Sequence, residues 1–373
     1  MSYTFLGKLP DPFMKADGTR MSADEWFTKR DEIFLDLCDK EFGGMPPRPE
    51  VVRVERLSAP RTDGLKNIYK IYAGTKERQL TILLDVTTPR GAVDGSVKYP
   101  IMLTGDGCYN CCESETINAA CAIGIGVARF NRLELANDDK NAGRVGGLYD
   151  IYPEHKTFTA ISAWAWGYMT VMDALEKIPH IDTENVGLTS HSRGGKTVLL
   201  AAAADTRIKF ACPNNSGCHG AVSHRCSVTE QGENKKRSER LGDMLKQFPH
   251  WMGPKLTPYA GREQDLPYDM HYFGVLVAPR YYLQCEGLQD YWINPIGAWQ
   301  NLSAVKACYR RLGCEDHAAG WFRPGEHRHK LPDFTEFMNF MDRARAGLPL
   351  AEHLTINPFP QVELNFDWGE EDA

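Results

Sequence analysis

From Tyr99 onward, short apolar runs that are typical of buried strands alternate with longer segments that have helical spacing. The strand-like runs are YPIMLTGDG, GIGVARFN, ENVGLTSHS, IKFACPNNSG, PRYYLQCEG and AAGWFRPG, and the segments between them include FTAISAWAWGYMTVMDALEKI and PIGAWQNLSAVKACYRRLG. This alternation predicts an α/β fold with a mainly parallel central sheet that is covered by helices on both faces. In such a sheet, reactive side chains collect in the loops at the carboxyl ends of the strands.

One of these loops, in GLTSHSRGGKTVLLAAAADTRI, forms a polar corner between a strand and an Ala-rich helix. Ser192 lies at the corner, and Gly194 and Gly195 follow it. A serine at a sharp strand–turn–helix corner is typical of the nucleophile elbow of the α/β-hydrolase fold. The position two residues before the serine is Ser190 and not the usual glycine, but a small residue still fits there. The alternative interpretation is a serine that caps an ordinary helix.

A nucleophilic serine needs a base and an orienting carboxylate, which follow it in the order acid, then histidine, in this fold. Asp290 comes just after the strand PRYYLQCEG, and Glu286 at the end of that strand is the alternative acid. His327 comes just after the last predicted strand, with His329 as the alternative base. The sequence therefore predicts a triad of Ser192, Asp290 and His327.

Two cations, Arg193 and Lys196, lie in the first turn of the elbow helix. A cation is unfavourable at this end of the helix dipole, so the pair indicates an anionic ligand or a negative charge that develops during a reaction. We predict that Arg193 stabilises the oxyanion of a tetrahedral transition state.

Length and composition allow one large domain or two modest ones. We predict a single α/β-hydrolase domain over residues 1–373, with an N-terminal helical extension over 1–50 and an insertion over 218–272. The net charge of −6 argues against a nucleic-acid or anionic-membrane surface. We see neither a signal-peptide pattern at the start nor an apolar run near the ~20 residues that span a bilayer. Eleven scattered cysteines, several in apolar runs, indicate a reducing compartment, and we predict a cytoplasmic location.

The insertion separates the sixth and seventh core strands and is too long for a plain connector. We predict that it covers the carboxyl end of the sheet and forms part of the substrate pocket. Its KKRSER run, residues 235–240, is predicted to be a solvated helix face. The CYNCC run has CxxC spacing without a second pair at zinc-site spacing, so we interpret its cysteines as packing residues and predict no metal and no organic cofactor.

Several motifs together resemble the glucuronoyl esterases, carbohydrate esterase family fifteen, over nearly the whole chain. They are LPDPFMKADGTRMSADEWFTKRDEI, SRGGK, NNSGCHGAVSHR, FPHW, LPYDMH and APRYYLQCEGLQDYWINP. The resemblance implies Ser192 as the nucleophile, Arg193 as the oxyanion-stabilising side chain and His327 as the general base. It also implies that Lys196 contacts hydroxyls of a uronosyl ring and that Trp292 is an aromatic platform for the sugar.

The chain departs from the family pattern at Asn215, because many members carry the triad acid just before SG. The acid role then passes to Asp290. On resemblance alone, the insertion offers five further pocket candidates: His219, His224, Arg225, His250 and His271.

The leading hypothesis is a serine carboxylic-ester hydrolase that acts on an alkyl or aryl ester of (4-O-methyl-)glucuronic acid, small or attached to an oligosaccharide. The alternatives are an acetyl esterase of xylo-oligosaccharides and a sugar-binding homologue without catalysis, to which Asn215 gives some weight. Family members that act on polymeric biomass are normally exported, so a cytoplasmic member would act on imported oligosaccharides or small esters. The oligomeric state stays open.

Overall fold

The computed structural model describes residues 2–57, 66–91, 94–155, 157–229 and 237–369, and these contain eleven strands and nine α-helices. The strands are β1 (Ser2–Phe5), β2 (Val51–Arg56), β3 (Asn67–Gly74), β4 (Gln79–Thr87), β5 (Tyr99–Thr104), β6 (Gly126–Arg129), β7 (Ile181–His191), β8 (Phe210–Asn214), β9 (Cys226–Thr229), β10 (Tyr281–Gly287) and β11 (Ala318–Arg323). The helices are α1 (Ala23–Phe42), α2 (Ser114–Ala122), α3 (Leu148–Ile151), α4 (Ala160–Leu175), α5 (Arg193–Ala204), α6 (Leu241–Gln247), α7 (His271–Val275), α8 (Pro295–Arg311) and α9 (Leu331–Arg345).

Nine strands form one sheet in the order β11-β10-β8-β7-β5-β6-β4-β3-β2. The strands from β6 across to β11 pair in parallel, whereas β2, β3 and β4 form an antiparallel meander that joins the rest where β4 meets β6. This mixed, mostly parallel sheet confirms the predicted α/β-hydrolase fold. Counted from β3, the sixth and seventh strands of the sheet are β8 and β10, and the predicted insertion lies between them.

Helices cover both faces of the sheet, as the continuous apolar runs of its central strands require. On one face, α4 packs against α5, and α5 packs on β7 and β8. Fifteen of the sixteen residues of α4 are buried, which explains its high content of apolar residues. On the other face, α9 packs on β7, β8 and β10, where Phe337 and Met341 join a second apolar cluster with Phe210 and Leu283.

The insertion contacts loops that follow the carboxyl ends of β6 and β10, through His250 and Trp251 on Asp138 and through the amide of Glu239 on the Trp292 carbonyl. Its strand β9 pairs antiparallel with β1, an N-terminal strand that the sequence did not predict. Of the KKRSER run, Lys235 and Lys236 lie outside the described residues. The remainder is extended backbone that precedes α6, and both Ser238 and Glu239 are buried, so the predicted solvated helix face is wrong for the described part. Within the described ranges, no helix is both long enough and apolar enough to cross a bilayer.

Candidate active site

Ser192 lies between the last residue of β7 and the first residue of α5, with φ 56° and ψ −121°. A positive φ is strained for a residue other than glycine, and such strain is typical of a nucleophile that a sharp turn holds out of the sheet. The amide of Ser192 donates to the Asn214 carbonyl at 2.9 Å, and its carbonyl accepts from the amide of Lys196 at 3.1 Å. The strand–turn–helix corner predicted from the sequence is therefore present.

The elbow packs so tightly that the residue two after the serine must be glycine. A Cβ on Gly194 would lie 2.6 Å from Asp106 Oδ1 and 2.8 Å from the Ser190 Cβ. Asp106 cannot easily move, because it pairs with the buried Arg132 and accepts the amide of His191 at 2.8 Å. The loop after β5 thus packs against the elbow and limits the space at Gly194.

The hydroxyl of Ser190 explains why serine is accepted in place of the usual glycine. Its Oγ lies 2.6 Å from the Tyr168 hydroxyl and 3.0 Å from Thr104 Oγ1 in a buried network. Because the extra polar atom has partners, its burial has little cost.

Asp290 and His327 meet beside this corner. The Nδ1 of His327 lies 2.6 Å from Asp290 Oδ2, and the carboxylate is almost fully buried, whereas 38% of the histidine side chain is exposed. The rings of His327 and His191 have centroids 4.2 Å apart, and His191 directly precedes Ser192, so the predicted base lies next to the predicted nucleophile. The structure therefore places the three predicted triad residues at the carboxyl ends of β7, β10 and β11, with Asp290 and His327 in direct contact.

The two alternative residues lie in surroundings that do not suit the triad. Burial and the neighbouring Asp290 raise the pKa of Glu286 well above its usual value, and its Oε2 has no hydrogen-bond partner among the described residues. Burial lowers the pKa of His329 well below its usual value, and its ring stacks on Phe334 with centroids 3.8 Å apart. The surroundings of Glu286 therefore disfavour the ionised form that a triad acid needs, and His329 is a packed core residue.

Asn215, the position at which the chain departs from the resembled family pattern, contacts Asp290. Its Nδ2 donates to Asp290 Oδ2 at 2.7 Å, and its Oδ1 accepts from Nη2 of Arg323 at 3.3 Å. The amide gives the carboxylate a second donor besides His327, as an ionised acid requires.

The guanidinium of Arg193 is held from two sides. Its Nη1 donates to Asp138 Oδ2 at 2.7 Å, and its Cζ lies 4.6 Å from the centroid of the Trp251 ring. The side chain stays 31% exposed, so it can still face a ligand. Sequence reasoning missed Asp138, which lies in an irregular segment after β6 and has no motif of its own.

Lys196, predicted to contact a sugar, lies in the buried part of α5, and 3% of its side chain is exposed. Its Nζ donates to the Ser216 carbonyl at 2.6 Å and to the Cys218 carbonyl, and it lies 3.4 Å from Glu239 Oε1. Glu239 is a second residue that the sequence did not identify, since it was interpreted as part of a solvated helix.

Trp292, the predicted aromatic platform, is 42% exposed in the loop that follows Asp290. Its carbonyl accepts the amide of Glu239 at 2.9 Å, which ties this loop to the insertion. An exposed tryptophan so close to the triad acid is suited to stack against a sugar ring.

Of the five pocket candidates in the insertion, only His250 reaches this site, through its Nε2 at 3.0 Å from Asp138 Oδ1. The other four are buried in networks behind it. Arg225 pairs with Asp269 at 3.0 Å within the insertion, whereas His271 Nε2 lies 3.0 Å from the Pro10 carbonyl and so holds the N-terminal segment against the insertion.

His219 and His224 both lie against Glu41 at the end of α1, and their ligand atoms fall within 4.8 Å of one another. This is the spacing of a possible metal site, but the polar atoms already have protein partners. His219 Nε2 lies 3.0 Å from the Trp251 carbonyl, His224 Nδ1 lies 3.4 Å from Cys218 Sγ, and Glu41 Oε2 accepts from the Tyr268 hydroxyl at 2.6 Å. The geometry is that of a buried hydrogen-bonded network.

Comparison with known proteins matches this chain to one family. The family model described as "Glucuronyl esterase, fungi" matches residues 71–313, which is well over half of the chain. The chain is 29% identical over 333 residues to the 4-O-methyl-glucuronoyl methylesterase 1 of Wolfiporia cocos, a match that covers 86% of this chain and 76% of that protein. It is 26% identical over 404 residues to a carbohydrate esterase of an unknown prokaryotic organism, covering 91% of this chain and 90% of that protein.

Solved structures agree with the sequence comparison. A glucuronoyl esterase of carbohydrate esterase family 15 from Caldicellulosiruptor kristjansonii superposes with a TM-score of 0.81 at 26% identity, over 97% of this chain and 96% of that one. The catalytic domain from Hypocrea jecorina has the same fold, with a TM-score of 0.77 at 22% identity, over 99% of this chain and 97% of that one. With a strained elbow serine, an Asp–His pair beside it and this match, the chain belongs to the glucuronoyl esterases of carbohydrate esterase family 15 and is a carboxylic-ester hydrolase.

Proposed function

We propose that the chain hydrolyses esters of glucuronic acid or its 4-O-methyl ether through an acyl-enzyme at Ser192. The observation that carries this proposal is the 2.6 Å contact between His327 and Asp290 beside the strained elbow serine. In this assignment His327 is the general base, Asp290 orients it and Arg193 stabilises the oxyanion.

The reaction follows from this arrangement. Nε2 of His327 takes the proton of the Ser192 hydroxyl while Oγ attacks the ester carbonyl, and the carbonyl oxygen becomes an oxyanion that the Arg193 guanidinium stabilises. His327 then gives its proton to the leaving alcohol, which departs and leaves the acyl-enzyme. A water molecule, deprotonated by His327, attacks the acyl carbon; the acid is released and Ser192 regains its proton.

Support for a uronoyl substrate comes from the relatives and from the rim of the site. The Wolfiporia cocos relative is named a 4-O-methyl-glucuronoyl methylesterase, and an esterase from Sporotrichum thermophile was solved with methyl 4-O-methyl-β-D-glucopyranuronate. We assign the exposed Trp292 as the platform for the sugar ring. Lys196 has three N–H donors and already has three acceptors, so its contact with a sugar hydroxyl requires that it release one of them, such as Glu239.

The test is a side-by-side assay of benzyl glucuronate and an acetylated xylo-oligosaccharide. We expect turnover of the glucuronate ester, and a loss of ~10³-fold or more in the Ser192→Ala variant. A phosphonate probe should label the wild-type chain and leave Ser192→Ala unlabelled. Activity on the acetate alone would refute the uronoyl substrate and support the acetyl esterase.

The cytoplasmic location also stays a prediction. All eleven cysteines lie in the described residues and none of them forms a disulfide there, which supports a reducing compartment. Immunoblotting of fractionated host cells tests it, and recovery of the protein outside the cytoplasm would contradict it.

A further inference from the structure

We propose that Asp138 is a positioning residue for the oxyanion-stabilising Arg193, and that its charge keeps the acid product from being trapped at that arginine. The inference rests on the proposed function of Arg193. Asp138 lies outside the triad and 55 residues before Arg193 in the sequence, yet it contacts the arginine directly.

The carboxylate of Asp138 accepts donors from three separate segments. Its Oδ2 accepts from Arg193 at 2.7 Å and from the Tyr109 hydroxyl, in the loop after β5, at 3.3 Å. Its Oδ1 accepts from the ring nitrogens of two residues of the insertion, His250 Nε2 at 3.0 Å and Trp251 Nε1 at 2.8 Å. Only 7% of the side chain is exposed. Four donors on one largely buried carboxylate make it the point where these segments are held together.

These donors also keep Asp138 ionised. Burial by itself would raise the pKa of Asp138, but the hydrogen bonds from His250 and Arg193 outweigh burial and hold the pKa below its usual value. The carboxylate is therefore a full negative charge next to the guanidinium at neutral pH.

The first consequence is positional. An arginine has four rotatable side-chain bonds, and a partly exposed guanidinium would sample many orientations between turnovers. Here Asp138 binds one edge of the guanidinium and the Trp251 ring covers one of its faces. The free donors can then point at the developing oxyanion before the reaction begins, and such preorganisation is what makes an oxyanion site effective.

The second consequence concerns charge. Hydrolysis converts a neutral ester into a carboxylate at the position where the ester carbonyl lay. An unpaired arginine would bind this anion strongly in the ground state and slow its release. The other arginine nearby, Arg132, is already paired with Asp106. With Asp138 ionised, the Arg193–Asp138 pair has no net charge, so its N–H donors serve the oxyanion while the carboxylate repels the product.

The experiment measures kcat, KM and the inhibition constant of free glucuronate in the Asp138→Asn enzyme. For benzyl glucuronate we expect kcat to fall by ~10- to 100-fold with KM little changed. We expect free glucuronate to inhibit ~10-fold more tightly, because the repelling charge is gone. A structural role alone would not tighten product binding. The matched control is Asp173→Asn on α4, since Asp173 also pairs with arginines, Arg48 at 2.7 Å and Arg207 at 2.8 Å, and it should leave all three constants unchanged.

Two further variants keep the result decisive. In an Arg193→Ala background, Asp138→Asn should cost less than ~3-fold in kcat, since the group that it positions is gone. Asp138→Glu retains the charge, so it should lower kcat without tightening inhibition by glucuronate, and it replaces the first variant if Asp138→Asn fails to fold. Equal losses in both backgrounds, wild-type kcat in either Asp138 variant, or unchanged inhibition in Asp138→Asn would overturn the inference. Full activity of Arg193→Ala would instead refute the proposed role of the arginine.

Discussion

The choice of Asp290 as the triad acid can be tested against Glu286 by two substitutions that preserve shape. In Asp290→Asn, the oxygen that accepts from His327 at 2.6 Å and from Asn215 at 2.7 Å loses its charge. Because Oδ2 faces both His327 and Asn215, the new amide places either an uncharged oxygen or its NH₂ group at that position. The first removes the negative charge beside the base, and the second also forces His327 into the other tautomer.

The size of the effect follows from these contacts. The loss of a hydrogen bond to a charged group costs ~1.5–3 kcal/mol, which is ~10- to 150-fold in rate. A base in the wrong tautomer raises the loss to ~10⁴-fold, the value found for the equivalent change in serine proteases. We thus expect kcat/KM to fall by ~10²- to 10⁴-fold in Asp290→Asn. Glu286→Gln should cost less than ~3-fold, because burial and the neighbouring Asp290 raise the pKa of Glu286 and disfavour the charge that the substitution removes.

The assay is kcat/KM on benzyl glucuronate at pH 7, with thermal unfolding of each variant as the control for stability. Both substitutions conserve volume, so a similar melting temperature makes the kinetic comparison direct. An equal loss in the two variants, or a larger loss in Glu286→Gln, would refute the assignment and show that the ionised partner of His327 is not Asp290.

Three more predictions follow from the packing of the elbow and its surroundings. Gly194→Ala should remove activity and lower the melting temperature, because its Cβ would lie 2.6 Å from Asp106 Oδ1; wild-type turnover would contradict this. Lys196→Met should destabilise the fold by ~3–5 kcal/mol in urea unfolding, since it leaves the buried Glu239 without its cation, and Lys196→Met/Glu239→Gln should recover part of that loss. Burial and the neighbouring His327 lower the pKa of His191 to about 4, from about 6.5 in the unfolded chain. The neutral His191 therefore contributes to the stability of the fold above pH 6.5, and this contribution is lost as the pH falls toward 4. Between these pH values, the free energy of unfolding measured in denaturant should depend less on pH in His191→Phe than in the wild type. An equal slope of this free energy against pH in the two proteins would exclude His191 as a source of the pH dependence.

Much of the fold could be predicted from the sequence, because it depends on local patterns. The alternation of buried strands and helices, the glycines after Ser192 and the order of acid and histidine are all visible within short windows. Asp290 and His327 were identified as residues that directly follow predicted strands, and parallel strands bring such residues to the same edge. The charged run KKRSER, by contrast, suggested a solvated helix face, whereas its described residues 237–240 are extended, partly buried backbone.

The tertiary structure decided what depends on contacts between distant segments. It distinguished Asp290 from Glu286 by the contact with His327, and His327 from His329 by burial, and a residue's position just after a strand reveals neither. It placed Lys196 against Glu239, and Arg193 against Asp138, although 43 and 55 residues separate these pairs in the sequence. Charge, solvation and hydrogen-bond partners set what an ionisable group can do, and these are properties of the folded surroundings. The sequence alone therefore determined where the chemistry lies, and only the folded chain determined which side chains are ionised, oriented and exposed enough to perform it.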